Sequence, residues 1–153
     1  NIFKNDFDFI NSGYNLRPLE ISASIGISQL KRINQLKSTR SINRKKIITG
    51  LKKSKLWKDQ FKFIEENKSI DHSWFGLPFL INDKFVNQKK IFIKYLEKNG
   101  IETRPIISGN FIKQPSIKLY NLNKKKIKFN NADEIEKKGF FIGVHTKPIN
   151  KKI

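Results

Sequence analysis

Residues 74–107, WFGLPFLINDKFVNQKKIFIKYLEKNGIETRPII, carry the pattern that decides the fold. Trp74 to Ile81 is a compact apolar run with Pro78 inside it, which reads as a buried or edge strand. Asn87 to Asn99 then places Ile91, Tyr95 and Leu96 at helical spacing, and Gly100 supplies the stop. Ile101 to Ile107 returns as a strand. Working outward toward the end of the chain, Asn121 to Lys128 is the expected exposed loop, Asn131 to Lys138 a short helix capped by Gly139, and Phe140 to Val144 a last strand. Toward the beginning, Arg17-Pro18 opens a stretch in which Leu19, Ala23, Gly26/Ile27, Leu30 and Ile33 recur at spacings of three and four. That is an amphipathic helix with proline near its first turn, running to about Gln35, and a second helical stretch with Ile42, Ile47/Ile48 and Leu51 follows. The small residues Ala23, Ser24, Gly26 and Ser28 would let a neighbouring element approach closely. The fold class is therefore α/β, of the α+β kind: long helices followed by a small helix-covered sheet.

The chain has 153 residues, 37% of them apolar, enough to fill one core. No apolar run approaches the length of a membrane span, and no charged-then-apolar leader opens the chain. The absence of cysteine excludes a disulfide framework, a zinc ribbon and a thiol nucleophile within this stretch. The absence of methionine, at a chain that starts Asn1-Ile2-Phe3, leads us to expect a beginning that lies upstream. A net charge of +19 suggests nucleic acid or an anionic membrane. Yet 27 of the 32 basic residues are lysines, scattered from Lys4 to Lys152 beside heavy use of isoleucine and asparagine. Those are the residues of A/T-rich codons, whereas readers of phosphate and base edges cluster arginine on one face. Composition bias is the preferred reading, and non-specific adhesion to nucleic acid at low salt is expected either way.

Generic motifs of catalysis are missing: there is no GxGxxG, no GxxxxGK[ST] and no Gly-x-Ser-x-Gly. His72 and His145 stand far apart without a second ligand at metal spacing, so no metal site is expected. Three local clusters remain. Gly13-Tyr14-Asn15-Leu16-Arg17-Pro18 sets an amide and a guanidinium just before a helix amino terminus, where backbone N–H groups favour an anion; Asn15 as a simple cap and Arg17 as a surface residue is the plainer alternative. Ile106 to Phe111 ends a strand in a Gly-Asn turn, an exposed place for polar contacts to a ligand or an ordinary turn. Gly143-Val144-His145 ends the last strand in the same way.

The order of these clusters carries a resemblance. The runs SGYNLRPLEISASIGISQLKRI (12–33), SWFGLPFLI (73–81), LEKNGIETRPIISGNFIKQPSIKLY (96–120) and NADEIEKKGFFIGVH (131–145) resemble the carboxy-terminal part of the DegT/DnrJ/EryC1/StrS sugar aminotransferase family, and within it the nucleotide-sugar 3-dehydratase branch. The likeness runs from about Phe7 to Ile149. It implies a fold-type I enzyme dependent on pyridoxal 5'-phosphate or pyridoxamine 5'-phosphate, working in the cytoplasm as a homodimer with active sites at the interface. Residues 1–60 would then hold an interface turn and the long helices leading from a larger upstream domain, and residues 61–153 the small α+β carboxy-terminal domain.

Residue by residue, the resemblance matches Asn15 to the asparagine that binds the cofactor phosphate of the neighbouring subunit. Arg17 is expected to support that phosphate or a substrate anion. Arg104 in ETRP and Asn110 in SGNF match positions of the dehydratase branch and are expected to hold the sugar or its diphosphate, for which a guanidinium fork and an amide are apt. His145 matches a Gly-Asn-His motif in which Val144 here replaces asparagine, and it is the last substrate-binding candidate. The position that carries a lysine in aminotransferases and a histidine in dehydratases falls upstream of Asn1, so no lysine of this chain is expected to be catalytic. The activity implied is C3 deoxygenation of a 4-keto-6-deoxy nucleotide sugar for deoxysugar and surface polysaccharide synthesis. Amino transfer within the same family, or a stand-alone basic module for nucleic acid, are the alternatives.

Overall fold

The apolar alternation of residues 74–81 and 139–144 builds the middle of a four-stranded antiparallel sheet in a computed structural model, which describes residues 18–106, 109–122 and 127–149. The elements in chain order are α1 (Glu20–Leu30), α2 (Ile33–Lys53), β1 (Phe61–Phe63), β2 (Gly76–Ile81), α3 (Lys89–Lys98), β3 (Thr103–Arg104), α4 (Pro115–Leu119), α5 (Asn130–Lys138) and β4 (Gly139–Gly143). The strand order β1-β2-β4-β3 leaves β1 and β3 at the edges. The chain divides into two compact units, residues 1–33 and 34–153.

β2 is central in spite of Pro78, and the register explains why. β1 pairs only with Phe79 to Ile81, so Pro78 lies beyond the last β1 pairing and its missing N–H breaks no rung on that side. On its other flank β2 pairs with β4 from Gly76↔Gly143 to Leu80↔Gly139. β3 adds Thr103↔Ile142 and Arg104↔Phe141. It is two residues long, not the Ile101 to Ile107 strand expected, because Pro105 removes the next donor.

Period-two alternation sorts the sheet into two faces. Phe61, Leu77, Phe79, Ile81 and Phe140 form the buried face together with Val144. Ile47, Ile48 and Leu51 of α2, Trp57, and Phe92, Ile93 and Leu96 of α3 close over it. The aromatic rings pack in preferred geometries: Phe79 stacks on Phe140 at 5.0 Å and meets Phe61 edge-on at 5.2 Å. α3 thus turns Phe92, Ile93 and Leu96 inward, while Ile91 and Tyr95, expected on the same face as Leu96, are exposed. In a helix 91 and 95 lie on one line and 92 and 96 on the next, and the sheet selects the second.

Two helical expectations also shift. The first helix breaks at Lys31-Arg32, earlier than Gln35, and α2 begins at once. None of α1 is buried: Ile21, Ile25, Ile27 and Leu30 are all exposed, so the apolar stripe has no cover among the described residues. α2, placed by the sequence with residues 1–60, belongs with the sheet in the unit 34–153. β1 was not expected at all. Of the expected loop, Asn121, Leu122, Ile127 and Lys128 are exposed, and residues 123–126 lie outside the described residues.

Candidate functional site

The second face of the sheet carries Lys62, Gly76, Pro78, Leu80, Phe141, Gly143 and Arg104, by the same alternation. Arg104 sits on the edge strand β3 with its side chain 66% exposed, and its guanidinium donates to Glu102 at 2.5 Å. Both partners are solvated, so the pair is weak and exchangeable. Opposite Arg104 in register is Phe141, half-buried, and opposite Phe141 is Pro78. The Phe141 ring occupies the space a side chain at position 76 would take: a Cβ there would stand 2.7 Å from its Cδ2. Phe75 meets the ring edge-on at 5.8 Å.

At the Gly139 end of β4, the turn Gly109–Lys113 is bracketed by two carboxylates of α5. Asn110 donates its side-chain N–H to Asp133 at 2.9 Å and its backbone N–H to Glu136 at 3.2 Å, and its side-chain oxygen accepts from the backbone N–H of Ile112 at 3.3 Å. Lys113 donates to Asp133 at 2.5 Å and Glu136 at 3.0 Å. Gly109 is required twice, by φ +65° and by the Glu136 side chain that a Cβ would strike. The Lys113 ammonium, seconded by Asn110, holds the Asp133 and Glu136 carboxyls below the usual carboxylate range, and Asp133 and Glu136 in turn raise Lys113. Asn110 was expected on an exposed turn, free for a ligand. It is instead 2% exposed, with its amide spent on α5 and on the short helical turn it caps.

At the opposite end of β4, His145 is exposed and accepts the Lys147 N–H on Nδ1 at 2.8 Å, which leaves Nε2 as the outward-facing ring nitrogen. Asn43 of α2, fully buried, pins this tail: its Nδ2 donates to the carbonyls of His145 and Lys147, both at 2.8 Å, and its Oδ1 accepts from Ile149 N–H at 3.0 Å. Nothing in the sequence reading marked Asn43. The signal was there, an amide on the inward stripe of a helix otherwise lined by Ile47 and Leu51.

The expected site residues are not gathered into one place by this part of the molecule. Arg104 lies on the edge strand β3, Asn110 beyond one end of β4, and His145 beyond the other, four residues or roughly 13 Å of extended chain from Phe141. Asn15 and Arg17 lie outside the described residues. Among the described residues no lysine is buried. Lys89 is half-buried, which disfavours its ammonium, and it donates to the carbonyls of Glu136 and Lys137 at 3.1 and 3.2 Å and so fastens α3 to the end of α5.

This face thus presents an exposed guanidinium paired with Glu102, an aromatic ring and two glycines. The chain is 34% identical over 143 residues to the GDP-4-keto-6-deoxy-D-mannose 3-dehydratase of Escherichia coli O55:H7, an alignment that takes in 94% of this chain and 35% of that protein. The solved structure of an E. coli GDP-4-keto-6-deoxy-D-mannose-3-dehydratase with bound hydrated PLP superposes with a TM-score of 0.75 at 32% identity, covering 95% of this chain and 36% of that one. A variant GDP-4-keto-6-deoxymannose-3-dehydratase with bound GDP-perosamine gives 0.76 at 32%, covering 97% and 37%. The chain thus spans about a third of the length of the relatives it matches. A family model described as the DegT/DnrJ/EryC1/StrS aminotransferase family matches residues 3–152, and the fold superposes on about a third of the chain of its solved members. With nearly every residue inside that match, the chain belongs to the DegT/DnrJ/EryC1/StrS aminotransferase family.

Proposed function

We propose that this chain is the carboxy-terminal part of a nucleotide-sugar 3-dehydratase that removes the C3 oxygen of a GDP-linked 4-keto-6-deoxy sugar. The observation that carries the reading is the 34% identity to a GDP-4-keto-6-deoxy-D-mannose 3-dehydratase across 94% of the chain. The cofactor is pyridoxal or pyridoxamine 5'-phosphate, whose electron-withdrawing ring takes up electron density from the carbon next to its nitrogen. Among the described residues the exposed Arg104 and His145 fit a supporting share of such a site, whose central lysine or histidine position is expected upstream. Asn15 is the residue of this chain assigned to the cofactor phosphate of a partner subunit, with Arg17 beside it. Arg104 is assigned to the substrate diphosphate, and His145, through Nε2, to a substrate oxygen. Asn110 acts on the substrate side through the turn it ties to α5.

The assay is direct: the protein extended by its in-frame upstream sequence is given GDP-4-keto-6-deoxymannose, cofactor and an amino donor, and the product is weighed. A product one oxygen lighter is deoxygenation and supports the proposal. A product that has gained an amine nitrogen assigns amino transfer, and no conversion with tight, salt-resistant duplex binding assigns the basic module. The homodimer is tested by co-expressing an Asn15→Ala chain with one inactivated at the upstream position. Mixed dimers regain up to half the activity if Asn15 serves the partner's site, and none if it serves its own.

A further inference from the structure

Between α2 and β1 the chain makes a turn, residues 54–60, that is tightly bonded and yet leaves its leucine outside. The backbone N–H of Leu56 donates to Ser54 Oγ at 3.2 Å, that of Trp57 to the Ser54 carbonyl at 3.0 Å and that of Lys58 to Gln60 Oε1 at 2.8 Å. Gln60 Nε2 donates back to the Leu56 carbonyl at 2.7 Å, and the Gln60 carbonyl accepts from the backbone N–H of Asn82 at 2.9 Å, which ties the turn to the residue after β2. Leu56 is nonetheless 78% exposed. A turn fixed from both ends has little freedom to fold that side chain away, so its apolar surface stays in water until something else covers it. Behind it lies an open cavity of about 300 Å³, with Leu56, Leu51, Trp57, Phe61, Phe85 and Phe92 in its wall.

The charges around the leucine point to what covers it. Lys52, Lys53, Lys55 and Lys58 fall within seven residues and are all exposed. The Lys52 ammonium stands 5.9 Å from the Phe63 ring centroid, and those of Lys53, Lys55 and Lys58 have no carboxylate partner among the described residues. Asp59, the one acidic residue between positions 52 and 62, accepts the Trp57 indole N–H at 3.1 Å. We propose that this turn docks on an anionic lipid bilayer, with Leu56 entering the interface and the lysines on the lipid phosphates. The contact lies on the surface, and no helix among the described residues is long and apolar enough to cross a membrane. A nucleic-acid backbone would use the lysines but offers nothing to an exposed leucine beside an apolar cavity, whereas a lipid surface uses both. Lysine, a point charge on a flexible apolar stem, suits head groups that present no fixed fork geometry. The proposal stands apart from the nucleotide-sugar reading, since it uses none of the residues assigned there.

The test is co-sedimentation with vesicles of equal parts phosphatidylglycerol and phosphatidylcholine, with phosphatidylcholine alone as the neutral comparison. It is run on the 153-residue chain and on the protein extended by its in-frame upstream sequence, at about 0.15 M ionic strength, where the attraction of scattered lysines is screened beyond about 8 Å. Both proteins should bind the anionic vesicles and leave the neutral ones. Leu56→Ser, at a position too exposed to disturb folding, should weaken binding about tenfold. Lys55→Gln with Lys58→Gln should weaken it about twenty-five-fold, some fivefold for each lysine. The same loss of charge on α3, Lys94→Gln with Lys98→Gln, should change it less than about threefold. Unchanged binding in Leu56→Ser, or equal losses from the two lysine pairs, would overturn the proposal and leave only the attraction of net charge. Tighter binding to duplex DNA at the same salt, indifferent to Leu56→Ser, would assign the lysines to a polyanion. Binding by the 153-residue chain but not by the extended protein would mean that the upstream part covers the turn, and a dimer that Leu56→Ser dissolves without lipid would mean that a second copy does; either result overturns it.

Discussion

The two faces of one sheet differ in whether the chain completes them. The face of Phe61, Leu77, Phe79, Ile81 and Phe140 is closed by α2 and α3, and each ring on it has partners within about 5–6 Å. The face of Gly76, Pro78, Phe141, Gly143 and Arg104 has an unfilled glycine, a half-buried ring and an exposed charge. A third of the relatives' length therefore carries a closed core on one face of the sheet and leaves the other face partly uncovered among the described residues. If the proposed role of Arg104 holds, fold and ligand contact draw on opposite sides of the same strands, and substitutions on the two sides should behave differently.

The largest effect is expected on the closed face. Phe140 is 1% exposed and touches the rings of Phe61, Phe79 and Phe92. Phe140→Ala should cost about 3–5 kcal/mol, enough to leave a small domain largely unfolded at 37 °C, as seen in denaturant titration. A loss below about 1 kcal/mol would mean that the closed face is not the core. Second is Asn43, which holds three backbone groups of the tail from inside the protein. Asn43→Leu should cost about 1–3 kcal/mol by stranding them, and should speed amide exchange at Lys147 and Ile149 before it affects β2.

The third prediction concerns acid. Asp133 and Glu136 have folded-state pKa values held below their unfolded ones by Lys113 and Asn110. A lowered carboxylate pKa contributes stability that is full above the unfolded value, about 4, and fades as the pH falls through the folded value. The Gly109–Lys113 turn should therefore loosen below about pH 4, visible as faster exchange of the Asn110 amide, while the rings of the closed face keep their packing. Asp133→Asn together with Glu136→Gln should remove that pH dependence. If the turn loosens with the same acid midpoint in the double variant, the carboxylates are not what holds it.

How much of this was legible in the sequence follows the same division. Trp74 to Ile81 and Phe140 to Val144 read as strands, within two residues of β2 and one of β4, because a face buried by its own chain leaves a full pattern of apolar residues. β1 escaped because three residues, Phe61-Lys62-Phe63, are too few for a period to show. The inward face of α3 was misread by one residue, since Ile91, Phe92, Ile93, Tyr95 and Leu96 crowd apolar side chains around the helix and only the sheet decides which of them turn in. Asn110 was picked out as special, and is, but its local pattern could not reveal the two carboxylates that arrive from a helix twenty-odd residues later.

The smallest effect on stability, and the sharpest test of the two-face division, is expected at Arg104. Its partner Glu102 lies two residues earlier, just before β3, and both side chains are about two-thirds exposed or more, so solvent and salt leave the pair little net worth. Arg104→Gln keeps the length and a donor while removing the charge and the fork, so the thermal midpoint of the chain should stay within about 2 °C. In the protein extended to full length, the same substitution should remove a charge-assisted contact made to the diphosphate, which typically costs about 1.5–3 kcal/mol, or roughly ten- to over a hundredfold in kcat/KM for the nucleotide sugar. Glu102→Gln separates the two roles. If Arg104 serves the scaffold, breaking the pair from either side should lower the midpoint equally and leave kcat/KM alone. If Arg104 serves the ligand, losing Glu102 frees the guanidinium, and kcat/KM should hold or rise while Arg104→Gln lowers it. Opposite signs from two halves of one ion pair cannot come from a structural brace, and that outcome would place Arg104 with the unfinished face.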